Sequence, residues 1–160
     1  MTDAHLHLGE AYLGMEDRKL AELQFRDTVA LSPLNVAGRN RLGELLFETG
    51  RVAEAAGHFQ RSVESEPNAE GYDGLGDISL KRGDSGGATR SYLQAVAVDP
   101  FDHHAHFKLG EIYARAGRAA DAVREYEVGF VTDPHNAEAR AAVRKFGLRV
   151  ADATPVPRLR

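Results

Sequence analysis

Seven histidines stand among the 160 residues, and His103, His104 and His106 form their densest group. On a helix, His103 and His106 lie one turn apart and could present two imidazoles to a metal. A zinc site needs three or four ligands, and no carboxylate or further histidine predictably stands beside this pair. His5 and His7 point to different helix faces. The chain has no cysteine, which removes thiolate nucleophiles and cysteine metal sites. Serines, histidines and acids are present, but no G-x-S-x-G elbow gathers them into a nucleophile site. The run Gly71-Tyr72-Asp73-Gly74-Leu75-Gly76 has the glycine density of a phosphate-binding loop. Such a loop must follow a strand, and the pattern here is helical throughout. The residues therefore predict no catalytic centre, no metal, no cofactor and no enzyme.

The elements that would carry these residues are constrained by composition. A hydrophobic content of 42% with 28% charged residues describes a chain that folds. No apolar run approaches the roughly 20 residues of a membrane-spanning helix, and the first residues lack the pattern of a signal peptide. A cytoplasmic location is the corresponding expectation. The net charge is −4, yet Arg140, Arg144, Lys145, Arg149, Arg158 and Arg160 face only Asp152 in the last stretch. With +5 in that stretch, residues 1–139 carry −9. Such a body repels phosphate backbones, so no nucleic-acid binding is expected.

A repeat organises the chain. Leu8-Gly9-Glu10, Leu42-Gly43-Glu44, Leu75-Gly76-Asp77 and Leu109-Gly110-Glu111 recur with their glycines 34, 33 and 34 residues apart. Each glycine is followed at fixed distance by an alanine (Ala21, Ala55, Ala88, Ala122). An aromatic comes next (Phe25, Phe59, Tyr92, Tyr126), and then a proline (Pro33, Pro67, Pro100, Pro134). Periodicity and breakers predict helix pairs at 3–15 with 18–31, 36–49 with 52–65, 69–82 with 85–98, and 103–116 with 119–132. Gly50, Gly83 and Gly117 fall at the turns inside the last three pairs, where a left-handed residue caps a helix. Glu16-Asp17 replaces glycine in the first.

This pattern resembles the tetratricopeptide repeat family, whose Leu-Gly, Ala-x3-aromatic and proline positions are matched over nearly the whole chain. The family's tryptophan position holds His5, Arg39, Tyr72 and His106, and its following tyrosine survives as Tyr12 and Tyr113. The resemblance implies an all-α fold: a right-handed α-α superhelix, or solenoid, of antiparallel hairpins forming one domain over 1–150. Its repeats would span about 2–35, 36–68, 69–102 and 103–136. Arg144 stands where a further glycine would be due, so a ninth, capping helix is expected at about 136–149, followed by a flexible tail at 151–160. The first repeat starts without a cap, as in a domain cut from a longer protein. Repeat three, one residue short and rich in glycine, reads as sequence drift and as the least stable hairpin.

Family resemblance also implies that the first helix of each hairpin lines a concave groove. The lining would be Asp3, Leu6, His7 and Glu10; Asn40, Arg41, Glu44 and Glu48; Glu70, Asp73, Asp77 and Lys81; and His104, Phe107, Lys108, Glu111 and Arg115. Leu6 and Phe107 are the expected apolar anchors. Glu10, Glu44, Asp77 and Glu111 form an acidic ladder, and the complementary partner is a basic or amphipathic protein segment. The same carboxylates could instead be a solvated face neutralised by Arg41, Lys81, Lys108 and Arg115. Function is thus expected to be protein binding as a scaffold or adaptor. Two alternatives stand beside it. One is homo-oligomer formation, with the basic last helix docking in a neighbour's groove. The other is presentation of substrates within a larger enzyme such as a glycosyltransferase.

Overall fold

The computed structural model describes residues 2–133, 140, 141, 144 and 145. Eight helices follow one another: α1 (Thr2–Gly14), α2 (Arg18–Leu31), α3 (Val36–Glu48), α4 (Val52–Ser65), α5 (Ala69–Lys81), α6 (Ser85–Val98), α7 (His103–Arg115) and α8 (Ala119–Thr132). Each boundary falls within a residue of the predicted one. Four residues of the expected capping helix (Arg140, Ala141, Arg144 and Lys145) are helical. The rest of it, and the tail, lie outside the described residues.

Helices pair as α1–α2, α3–α4, α5–α6 and α7–α8. One turn chemistry closes all four hairpins. A left-handed residue stands after each first helix: Glu16 at φ 60°, Gly50 at 82°, Gly83 at 78° and Gly117 at 75°. The next N–H reaches back to the last turn: Asp17 to Tyr12 O, Arg51 to Leu46 O, Asp84 to Ser79 O and Arg118 to Tyr113 O, at 2.8–2.9 Å. This is the Schellman arrangement, which satisfies carbonyls the helix would otherwise leave bare. Helix starts are held by side chains the repeat pattern did not single out. Asn35, Asn68 and Asp102 accept from the N–H groups of Gly38, Gly71 and Ala105 at the heads of α3, α5 and α7.

The chain divides into two compact units, Met1–Val98 and Asp99–Arg160. In the first, α2 packs on α3, α4 on α5, and α3 on α5. Its core joins Ala21, Phe25, Leu42, Leu45, Leu46, Ala55, Phe59 and Ile78. The second is built on Phe107, Ala122 and Tyr126.

Each repeated aromatic lies flat against the repeated glycine of its own hairpin. A methyl group at Gly9 would stand 2.5 Å from the Phe25 ring; at Gly43, 2.9 Å from Phe59; at Gly76, 2.5 Å from Tyr92; and at Gly110, 2.6 Å from Tyr126. Glycine is thus what lets the two helices of a hairpin approach. Two glycines of repeat three have packing reasons. Gly74 takes the other side of the Phe59 ring, and Gly71 meets Val63. Both sit where α4 presses on α5.

Candidate partner-binding site

Three positions of each first helix, spaced i, i+3 and i+7, share one face. They carry His7, Glu10 and Gly14 on α1; Arg41, Glu44 and Glu48 on α3; Gly74, Asp77 and Lys81 on α5; and Lys108, Glu111 and Arg115 on α7. Within the first unit, side chains connect the helices across this face. Arg41 donates from Nη1 to Glu44 at 3.0 Å and from Nε to Glu10 at 3.4 Å. His7 Nδ1 lies 3.5 Å from Glu10. Lys81 projects over the Phe47 ring, 4.8 Å from its centre, and so ties α5 to α3. Asp77 accepts from the Tyr92 hydroxyl at 2.6 Å, which fixes one carboxylate by the aromatic that packs on Gly76.

Taken together, α1, α3 and α5 carry seven carboxylates against three Lys and Arg side chains. Glu48 is engaged at 3.3 Å by Arg18 from α2, leaving Arg41 to serve Glu10 and Glu44. Burial raises the Glu44 carboxyl above its ordinary range; Arg41 draws it down, Glu70 and Glu48 push it up, and the net direction is upward. In the second unit, Glu111 has Lys108 at 3.8 Å and Arg115 at 4.0 Å. The ladder there is matched by cations on its own helix. His104 is half-buried on α7.

Four expected lining residues (Leu6, Asn40, Asp73 and Phe107) occupy one equivalent repeat position, and it faces inward. Phe107 is only 2% exposed and packs on Gly129, Ala122 and Tyr126, so it is a core residue and not a groove anchor. Asn40, 1% exposed, is likewise withdrawn from the surface. Its amide donates to Asn68 at 2.8 Å and Glu70 at 3.1 Å, bracing α3 against the head of α5. Leu6 is partly buried against the first core, and Asp73 is half-buried.

The family's tryptophan position is filled by polar side chains that take up a structural task. Arg39 Nε donates to the Pro33 carbonyl at 2.7 Å, and His106 Nε2 stands 3.1 Å from the Pro100 carbonyl. Each anchors a first helix to the proline turn before it. His106 Nδ1 also meets Glu125 at 2.7 Å. That pairing, with His103 edge-on to Phe107, engages the histidine group in packing. Among the described residues no three His, Asp or Glu side chains converge as metal ligands.

The repeat spacing and the glycine-aromatic packing agree with a tetratricopeptide repeat family model, which matches residues 6–70 and 74–129. The chain belongs to the tetratricopeptide repeat family. Proteins of this family generally mediate protein–protein interaction and are typically non-enzymatic. Over 77 residues the chain is 32% identical to an Hsp70-Hsp90 organizing protein of Triticum aestivum, a match covering 48% of this chain and 13% of that protein. The solved structure of pilF of Pseudomonas aeruginosa superposes with a TM-score of 0.78 at 18% identity, over 93% of this chain and 74% of that one. YrrB, described as a TPR protein with an unusual peptide-binding site, gives 0.66 at 17%, over 91% and 77%. At these identities the structural likenesses show the fold. No helix among the described residues is long and apolar enough to cross a membrane.

Proposed function

We propose that this chain is a scaffold or adaptor whose first-helix face in the unit Met1–Val98 holds a basic or amphipathic segment of a partner protein. The observation that carries this reading is the surplus of carboxylates there. Glu10 and Glu44 share one arginine, and Glu70 raises the Glu44 carboxyl further. A lysine or arginine arriving from a partner relieves that crowding, while the Phe47 ring under Lys81 offers an apolar neighbour. Family membership supports the protein-binding part, and the peptide-binding description of YrrB supports a segment as the ligand. The anchors of the earlier expectation contribute little, because Phe107 is core and Leu6 is half-buried.

A fluorescently labelled basic amphipathic peptide, followed by anisotropy, tests the proposal. Binding is expected to weaken as salt rises and to disappear in Glu44→Lys with Asp77→Lys. Unchanged binding by that double variant, with its helix content intact, removes the acidic face from the mechanism.

A further inference from the structure

The repeats differ at one triad of positions joining a first helix to its second. In repeat one these are His5, Gln24 and Asp27. His5 Nδ1 is 2.8 Å from the Gln24 carbonyl oxygen and 4.0 Å from the Asp27 carboxylate. In repeat four the same positions bring His106 to Glu125 at 2.7 Å. In both, a basic ring on the first helix meets an acceptor on the second. Repeat two, shifted by 34 residues, has Arg39, His58 and Arg61 instead. The basic group remains, and both of its acceptors have become basic.

The consequence is visible in the hydrogen bonding. Arg39 is 6% exposed, and its Nη1 is buried with no hydrogen-bond partner. His58 Nδ1 is buried and equally unmatched. A buried donor without an acceptor costs free energy that folded chains rarely leave standing. Neighbouring carboxylates are already engaged. Glu22 and Glu54 hold Arg26 at 2.9 and 3.2 Å, and both also hold Arg51. Burial lowers Arg39, with Arg61 adding to it; burial, then Arg39, Arg26 and Arg61, lowers His58. Burial is the larger cause in both, and the repulsion between Arg39, His58 and Arg61 acts in the same direction.

We propose that Arg39, His58 and Arg61 form an anion site that takes a phosphate group. Arg39 presents Nη1 from a wall fixed by its Nε bond to Pro33, and His58 presents Nδ1 from α4. Arg61, one turn further along α4 and exposed, lies near enough to both to act on them electrostatically. Three separate donors suit a tetrahedral oxyanion, whose oxygens point apart, better than a planar carboxylate satisfied by one guanidinium fork. Its two negative charges balance the two arginines, Arg39 and Arg61. The phosphate is either the free ion or the phosphoryl group of a modified side chain.

Thermal unfolding of the full chain in phosphate against chloride at equal ionic strength tests the site. The control is His58→Gln with Arg61→Asp, which gives Arg39 the two second-helix acceptors of repeat one and should fold. Phosphate stabilises proteins generally, so the informative quantity is the gain in wild type beyond the gain in this variant. Expected is a larger midpoint shift in wild type, a movement of the His58 ring resonances on phosphate titration, and affinity weakened at least about tenfold in Arg61→Gln. A phosphoserine peptide that saturates at lower concentration than inorganic phosphate assigns the site to a modified segment; an equal response assigns it to the free ion. Equal phosphate gains in wild type and variant, with unmoved His58 resonances, overturn the proposal, as does an acetate response matching that of phosphate.

Discussion

Gly43 and Gly57 sit in paired helices of the same hairpin and should respond oppositely to one added methyl group. At Gly43 the new carbon meets the Phe59 ring at 2.9–3.1 Å, and Phe59 is held from its other side by Gly74. Gly43→Ala is expected to destabilise by about 1–3 kcal/mol, the usual cost of overpacking. At Gly57 nothing lies within 4 Å, so Gly57→Ala should stabilise by about 1 kcal/mol, the helix-propensity difference. Urea titration of both variants gives the comparison. His106 makes a second prediction at this scale. Burial pulls its imidazole down, but hydrogen bonds to Glu125 and the Pro100 carbonyl more than offset that, so its pKa lies above the ordinary 6.5. A raised folded value means the protonated form is favoured by folding. The stabilisation is complete below the unfolded value near 6.5 and is lost as pH rises through the folded one. NMR titration of His106 should place its midpoint above that of an exposed histidine, and Glu125→Gln should remove the difference.

At the scale of the element, the helix heads carry the clearest prediction. Asn35 and Asn68 both cap first helices, but Asn68 has further duties. Its Nδ2 donates to Ser62 Oγ at 3.1 Å and the Glu66 carbonyl at 2.8 Å, while its Oδ1 accepts from Asn40. Asn35→Ala should cost about 1 kcal/mol, the worth of a cap. Asn68→Ala should cost roughly twice that, because it also leaves the buried Asn40 amide short of a partner. Denaturant melts rank the two. The helices themselves were readable from sequence because glycine and proline interrupt each period at a fixed offset. Their caps were less so, since Asn35, Asn68 and Asp102, though each stands eight residues before the repeated glycine, differ in type and have no polar counterpart in repeat one. Phe107 was misplaced for a physical reason. It lies off the Leu109–Tyr113 stripe, and its burial depends on a partner helix that supplies only a hydrogen, Gly129. The sequence did hold the signal, because Leu6 fills the same repeat position. That Glu10, Glu44 and Asp77 take equivalent places on their helices needed only helical spacing to recognise. That Asp77 would be held by Tyr92 depended on which way that ring leans.

At the scale of the whole molecule, repeat arrays derive stability from each hairpin and from the interface to its neighbour, so equivalent residues need not be equally important. Leu8, Leu42 and Leu109 occupy the same repeat position, yet Leu8 is 42% exposed while Leu42 and Leu109 are 1% exposed. Leu42 belongs to the core of α2, α3, α4 and α5, together with Phe25, Leu45, Leu46 and Phe59. Removing its side chain leaves a cavity in a core to which the first three hairpins all contribute. Leu42→Ala should therefore cost about 2–5 kcal/mol, as buried leucine truncations do, whereas Leu8→Ala gives up surface already half in water and should cost well under half as much. Hydrogen exchange separates the two further. In the wild-type chain the amides of α3 and α4 should exchange slowest in the unit Met1–Val98, because hairpin two alone has a packed hairpin on each side within it. Leu8→Ala should speed exchange in α1 and α2 and leave α4 near its wild-type rate. Leu42→Ala should speed α2, α3, α4 and α5 together, because they share one core. Acceleration confined to α3 in that variant would mean the hairpins of this unit open independently, and that the stacked interfaces contribute less than the turns and caps of each hairpin alone.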